Sequence, residues 1–242
     1  MLTALAWGAL AASSLLIGAL AALVHAWPRR LVGLVLAFGA GALISAVAFE
    51  LALEGDAVGG FAPVAAGLAL GGLTYYALDG VVERIGDAGR VRQRRRSGGA
   101  AGGALALGAF LDGIPEQLVL GIGLASGEAV SVGLVCAIFV SNLPEAIGSA
   151  SAMRGAGRGA RPIVGLWGGV AVLCALATLG GFALGDAVSG ELRAGVDGFA
   201  AGALIVMLVD SMIPEATEDA GRQAGLLAVL GFALAAALSI AA

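Results

Sequence analysis

The run GGALALGAFLDGIPEQLVLGIGLA, Gly102–Ala125, reads as a membrane-spanning helix except at its middle, DGIPEQ, Asp112–Gln117. Two carboxylates and a proline sit where a bilayer should expel them. Twenty-nine residues further on, a second apolar run carries SNLPEA, Ser141–Ala146, with the same Pro-Glu pair. Composition decides whether these runs are spans. The 242 residues are 60% hydrophobic and 12% charged, and the mean hydropathy is +0.99. A water-soluble domain needs far more polar surface than that. The chain therefore reads as an integral membrane protein.

Eight apolar segments reach the roughly 20 residues a helix needs to cross a bilayer. They are 3–25, 31–53, 58–82, 101–123, 129–151, 162–185, 196–216 and 222–242, which leave little for a soluble domain. The runs are continuous rather than alternating, which excludes a transmembrane β-barrel. The expected fold is an all-α polytopic membrane protein, one transmembrane domain over 1–242. The first segment resembles a secretory leader in having ALVHA before Trp27. It lacks a basic n-region, and its apolar core is too long, so it is read as the first helix.

All 13 positive side chains are arginine. With the N-terminus outside, Arg29, Arg30, Arg84, Arg90, Arg92, Arg94, Arg95, Arg96, Arg154, Arg158, Arg161 and Arg222 fall on one side, and only Arg193 on the other. The positive-inside rule then places both termini outside the cytoplasm and the arginine-rich loop 83–100 within it. That loop is read as a solvated topology signal, with contact to anionic headgroups as the alternative.

An internal repeat joins two of the spans. FGAGALISAVAFELALE, Phe38–Glu54, aligns without gaps on FAAGALIVMLVDSMIPE, Phe199–Glu215, at an offset of 161. The arginine distribution makes these two helices run in opposite directions, as it does the two PE helices. Similar sequence in opposed orientation predicts a three-plus-two-plus-three inverted repeat, the architecture of many secondary transporters.

Four spans carry an oxygen side chain followed four residues later by glutamate: Glu50 and Glu54, Asp112 and Glu116, Ser141 and Glu145, Ser211 and Glu215. That spacing puts both oxygens on one helix face. Pro115, Pro144 and Pro214 precede three of these glutamates. A proline within a helix removes a backbone donor and frees the carbonyl one turn earlier. In lipid such a carbonyl must line a cavity or meet a ligand. Facing carboxylates repel, and a divalent cation turns that repulsion into coordination. Interhelical hydrogen bonding for packing alone is the bland alternative; two PE motifs on successive spans argue against it.

The remaining polar residues say less. His25, the single histidine, reads as interfacial beside Trp27. Cys136 and Cys174 read as small core residues, and Met207 and Met212 as packing. Asp210 is a candidate for the access path. Asp79, Glu218 and Asp219 are candidates for a cytoplasmic vestibule, with plain solvation as the alternative. The absence of lysine beside abundant Ala, Gly and Arg fits a prokaryotic inner-membrane protein from a GC-rich genome.

At these motifs the chain resembles the ZIP family of divalent-metal transporters. DGIPEQ and SNLPEA stand where that family has HNxPEG-like motifs, and DSMIPEA stands where it has an HExxPE-like one. The resemblance implies that Glu116 and Glu145 ligate the metal, with Asn142 matching the family's asparagine. Asp112, Ser141 and Asp210 replace its histidines, and Gly113 replaces a second asparagine. Losing imidazole while keeping carboxylates hardens the ligand set, which shifts preference from Zn²⁺ toward Mn²⁺ or Fe²⁺. The expectation is divalent-cation transport by alternating access at a midplane site of Asp112, Glu116, Ser141, Asn142 and Glu145. Glu50, Asp210, Ser211 and Glu215 would serve the path. The resemblance also implies an elevator-like motion and a homodimer; no organic cofactor and no nucleic-acid partner are expected. Two other classes remain: a non-transporting, regulatory or structural relative, and an intramembrane enzyme with paired carboxylates. The second lacks a His or Ser constellation, a phosphate loop and a GxGD-like aspartyl pair.

Overall fold

A computed structural model describes residues 1–93, 101–125, 132–185 and 189–241, with side chains for all of these except 82, 83, 85–93, 101–112, 240 and 241. Among the described residues there is no strand. The helices are α1 Leu2–Val24, α2 Arg29–Gly59, α3 Phe61–Gln93, α4 Ala101–Ala125, α5 Val132–Gly155, α6 Ala160–Gly185, α7 Gly190–Ala220 and α8 Gln223–Ala241. Six are long and apolar enough to cross a membrane: α1, α2, α3 over Phe61–Val81, α5, α6 and α7. The described apolar stretches of α4 and α8, Gly113–Ala125 and Gln223–Ser239, are shorter. The chain is thus an all-α protein with the character of a multi-pass membrane protein.

Three helices run well past their expected ends. Helix α3 does not stop at residue 82 but runs on to Gln93, taking in Arg84, Arg90 and Arg92; the arginine-rich remainder, 94–100, lies outside the described residues. Helices α2 and α7 outrun 31–53 and 196–216 at both ends. Both stop at a glycine in the left-handed region, Gly60 at φ 88° and Gly221 at φ 61°, where a Cβ would be strained.

These two helices correspond residue for residue. Their first residues (Arg29, Gly190), their last (Gly59, Ala220) and their terminating glycines are each 161 positions apart. Each also contains a π-helical turn, Val47–Leu53 in α2 and Leu208–Met212 in α7, beginning at the same point of the repeat. A π turn inserts an extra residue into the helical ladder and often marks a functional position. The pair lies antiparallel along its length. Gly33 faces Asp219 and Ala220 at one end, and Gly59 faces Gly190 and Glu191 at the other.

Glycine sets how closely the helices approach, as in membrane bundles generally. A Cβ on Gly41 would fall on the Ala228 carbonyl, and one on Gly231 on the Phe38 carbonyl, where α2 crosses α8. The same crossing recurs where α7 meets α3: Gly202 abuts the Leu68 carbonyl, and Gly71 the Phe199 carbonyl. The strongest packing divides the helices into two groups, α2, α3, α7 and α8 in one and α1, α4, α5 and α6 in the other. In the second group Gly121 and Gly181 bring α4 against α6, and Gly18 brings α1 against the Leu143 carbonyl of α5. Trp167, fully buried, fills the centre of α1, α5 and α6.

A buried polar contact joins α4 to α6 within the second group. Thr178 of α6 donates through Oγ1 to Oε1 of Gln117 on α4 at 2.5 Å, and both side chains are fully buried. Thr178→Val keeps the shape but removes that donor. The expected cost is about 1–3 kcal/mol, the penalty for stranding a buried polar group, and a fall of several degrees in Tm in detergent checks it.

The ends of the bundle differ in charge. Arg30 donates from Nη2 to Gln223 Oε1 at 2.8 Å. Arg154 donates from Nη1 to the Ala22 and Leu23 carbonyls at 3.0 and 3.1 Å, beyond which α1 ends. Arg29, Arg30, Arg154 and Arg222 therefore gather at the end where α1, α5 and α7 finish. Arg193 stands at the opposite end, bonded to Glu54.

Candidate metal centre

The two PE motifs meet where α4 passes α5. Glu116 is 2% exposed, deeply buried for a carboxylate on a helix of this kind. Asn142 donates from Nδ2 to Glu116 Oε2 at 3.2 Å. Ser141 Oγ lies 3.5 Å from Glu116 Oε1 and 3.0 Å from the Ile138 carbonyl. A hydroxyl has one hydrogen, and the shorter contact takes it. The Ser141 and Glu116 oxygens face each other across 3.5 Å. Hard divalent cations hold oxygens at about 2.0–2.6 Å, so a pair at this spacing can share one ion. Turning the Asn142 amide over would present its Oδ1 to the same point.

Glu116 and Ser141 form the inner wall of a narrow cleft with enclosed room for little more than one water, whose other lining residues are Leu36, Glu145, Met207, Ser211, Met212 and Glu215. Exposure rises along it, from buried Glu116 through half-buried Glu145 to exposed Ser211 and Glu215. Glu215 lies beside Gly148 of α5, toward the arginine-rich end of the bundle. The cleft is therefore a graded row of oxygens leading from a buried carboxylate to that end. Two thioethers, Met207 and Met212, face it as well; on sequence they read as packing.

The structure gathers some expected site residues and separates others. Glu116, Ser141, Asn142, Glu145, Ser211 and Glu215 come together. Asp112 lies on α4, but its side chain is outside the described residues. Glu50 sits in the π turn of α2 with Oε1 close to Gly133 at the start of α5, away from the cleft lining. Asp210 occupies the equivalent π turn of α7, is exposed, and does not line the cleft either. Among the described residues no three His, Cys, Asp or Glu side chains converge into a metal cluster. Glu116, Glu145 and Glu215 share the cleft without meeting, as like charges do.

Two features escaped the sequence reading. A Cβ on Gly113 would lie 2.7 Å from Cys174 Sγ of α6, so a side chain there would require the thiol to move. The thiol fills the place of the side chain that Gly113 lacks. The second is a charge cluster at the far end, where Arg193 pairs with Glu54 and its Nε lies 3.8 Å from Asp197 Oδ2. The Arg193–Asp197 spacing of four residues was the available signal; Glu54, 139 positions away, could not be inferred from it. No protein-family model matches the chain, and no curated protein matches it.

Proposed function

We propose that the chain is a membrane transporter of divalent cations. More particularly, it is a ZIP-like transporter that carries Mn²⁺, Fe²⁺ or Zn²⁺ as substrate through the cleft where α4 and α5 face α2 and α7. The observation that carries this reading is the buried Glu116, facing Ser141 and Asn142 of the neighbouring PE helix at the inner end of an oxygen-lined cleft. A carboxylate at such depth in a membrane-spanning bundle costs several kcal/mol, and a cation bound there offsets that cost. Glu116 and Glu145 supply the charge, Ser141 and Asn142 neutral oxygens. Ser211 and Glu215 pass the ion toward the mouth.

The antiparallel correspondence of α2 and α7 supports a three-plus-two-plus-three inverted repeat of eight spans. With the arginine-rich end in the cytoplasm, both termini are outside and the cleft opens inward. Alternating access then comes from the α1, α4, α5 and α6 group, which holds both PE motifs, sliding against the other four helices. The exposed apolar faces of α3 and α8 (Leu70, Leu73, Leu226, Leu230) are left for lipid or for a second copy in a homodimer.

Binding tests the site apart from transport. Titration of the detergent-purified protein with Mn²⁺, read by the loss of the free-ion EPR signal, is expected to show a site that weakens at least about 100-fold in Glu116→Gln/Glu145→Gln, at or beyond the upper end of what outer-shell ligand changes cost. Equal Mn²⁺ affinity in the two proteins contradicts the assignment.

A further inference from the structure

Glu116 and Gln117 are neighbours on α4, and neighbours on a helix point about 100° apart. Glu116 faces Ser141 and Asn142 of α5 at the inner end of the cleft. Gln117 faces α6, where Thr178 donates to its Oε1. Both side chains are buried, Gln117 completely. The amide is only half satisfied, because among the described residues its Nε2 has no acceptor. A half-satisfied buried amide is a poor stabiliser: an apolar pair of the same shape would hold the two helices about as well. The contact therefore needs a reason other than stability.

We propose that Gln117, held by Thr178, is a positioning residue: it fixes the rotation of α4 and so aims the Glu116 carboxylate at Asn142 and Ser141. Three observations carry this. Pro115 lies inside α4 directly before Glu116, so the helical ladder lacks a bond there and the backbone alone does not fix how the next turn is rotated. Helix α4 packs far more extensively on α6 than on α5, so α6 is the surface that orients it. Along that surface the other contacts are steric. Gly121 and Gly181 lie against the carbonyls of Thr178 and Leu118, and Gly113 lies against Cys174 Sγ. Such contacts let the helices close up without selecting a rotation, whereas the bond from Thr178 to Gln117 is directional. The pairs Gly113–Cys174 and Gln117–Thr178 share an offset of 61 residues, so α4 and α6 run parallel and in register there. A turn of α4 through part of the angle between neighbours would carry Glu116 Oε2 off Asn142 Nδ2, now 3.2 Å away. The consequence for the ion rests on the transport reading; the aim of Glu116 does not.

The test separates aim from stability by removing both partners. Gln117→Met/Thr178→Val strands no polar group, so the full-length protein is expected to stay monodisperse and to unfold within a few degrees of the unaltered chain. The aim is then read without metal. In the unaltered chain Asn142→Ala removes a donor to Glu116 and lowers Tm. In the double variant that fall is expected to shrink at least twofold, because Glu116 no longer meets Asn142. Gln117 and Asn142 make no contact of their own in this account, so a pair that merely holds α4 to α6 gives additive effects. An equal change of Tm in the two backgrounds overturns the proposal. Mn²⁺ binding is the second readout, expected at least tenfold weaker in the double variant and unchanged in Thr178→Ser, which keeps the hydroxyl donor. Equal affinity in the double variant and the unaltered chain overturns the proposal as well. Should the double variant not fold, Thr178→Val and Thr178→Ser decide: severalfold weaker binding in the first alone supports the proposal, and equal affinities overturn it. A chain with no Mn²⁺ site that still shows the coupling to Asn142 would sink the cleft reading and leave the positioning of Glu116 standing.

Discussion

Vesicles reconstituted with Glu116→Ala/Glu145→Ala are expected to lose saturable divalent-cation uptake by at least about 100-fold, while the protein still purifies as a folded species. The two carboxylates are the only full charges among Glu116, Ser141, Asn142 and Glu145, and Glu116 is the most deeply buried glutamate lining the cleft. An ion leaving water must recover its hydration from ligands. Serine and asparagine oxygens alone do not supply the charge to do so. The folded state should tolerate the change, because removing a buried charge also removes its desolvation cost. Measured together, flux and size-exclusion profile separate loss of the site from loss of the fold. Flux within a few-fold of the unaltered chain would show that ions cross elsewhere.

The second large effect concerns the scaffold. Gly41→Leu and Gly202→Leu are each expected to abolish recovery of monodisperse protein, whereas Gly165→Leu, where a Cβ would meet nothing, is expected to be harmless. Overpacking usually costs about 1–3 kcal/mol, and more where neighbours cannot yield. Here the obstructing atoms are backbone carbonyls, of Ala228 for Gly41 and of Leu68 for Gly202, and no rotamer change moves them. Because the two crossings are the same contact made twice, the two variants should fail alike. A Gly202→Leu protein as stable as the unaltered chain would show that the correspondence does not extend to packing forces. Thermal unfolding in detergent decides it.

The sequence carried the helical, membrane-like character plainly, because long apolar runs leave no other way to satisfy the backbone in lipid. It was less informative at helix ends. The expected span 31–53 stops short of Glu54 and Asp56, yet α2 continues through both to Gly59, and Glu54 meets an arginine from a distant helix. The pairing of Glu116 with Ser141 and Asn142 could be anticipated from matched motifs on successive spans. The parting of Glu50 and Asp210 from the cleft could not. Asp210 precedes Ser211, which does line the cleft, and so stands about a quarter-turn off that face, while Glu50 approaches Gly133 at the start of α5. Gly113 illustrates a related limit: its missing side chain read as a lost ligand, whereas Cys174 from α6 occupies the space.

Uptake of Mn²⁺, Fe²⁺, Zn²⁺, Cd²⁺, Mg²⁺ and Ca²⁺ into proteoliposomes of the unaltered chain tests the central claim most directly. The account predicts saturable transition-metal flux, with Mn²⁺ or Fe²⁺ carried at least as well as Zn²⁺, because carboxylate, hydroxyl and amide oxygens replace imidazole at the cleft. Flux of Zn²⁺ alone would contradict the hardness argument and leave transport intact. No flux of any ion through folded, inserted protein would contradict transport itself.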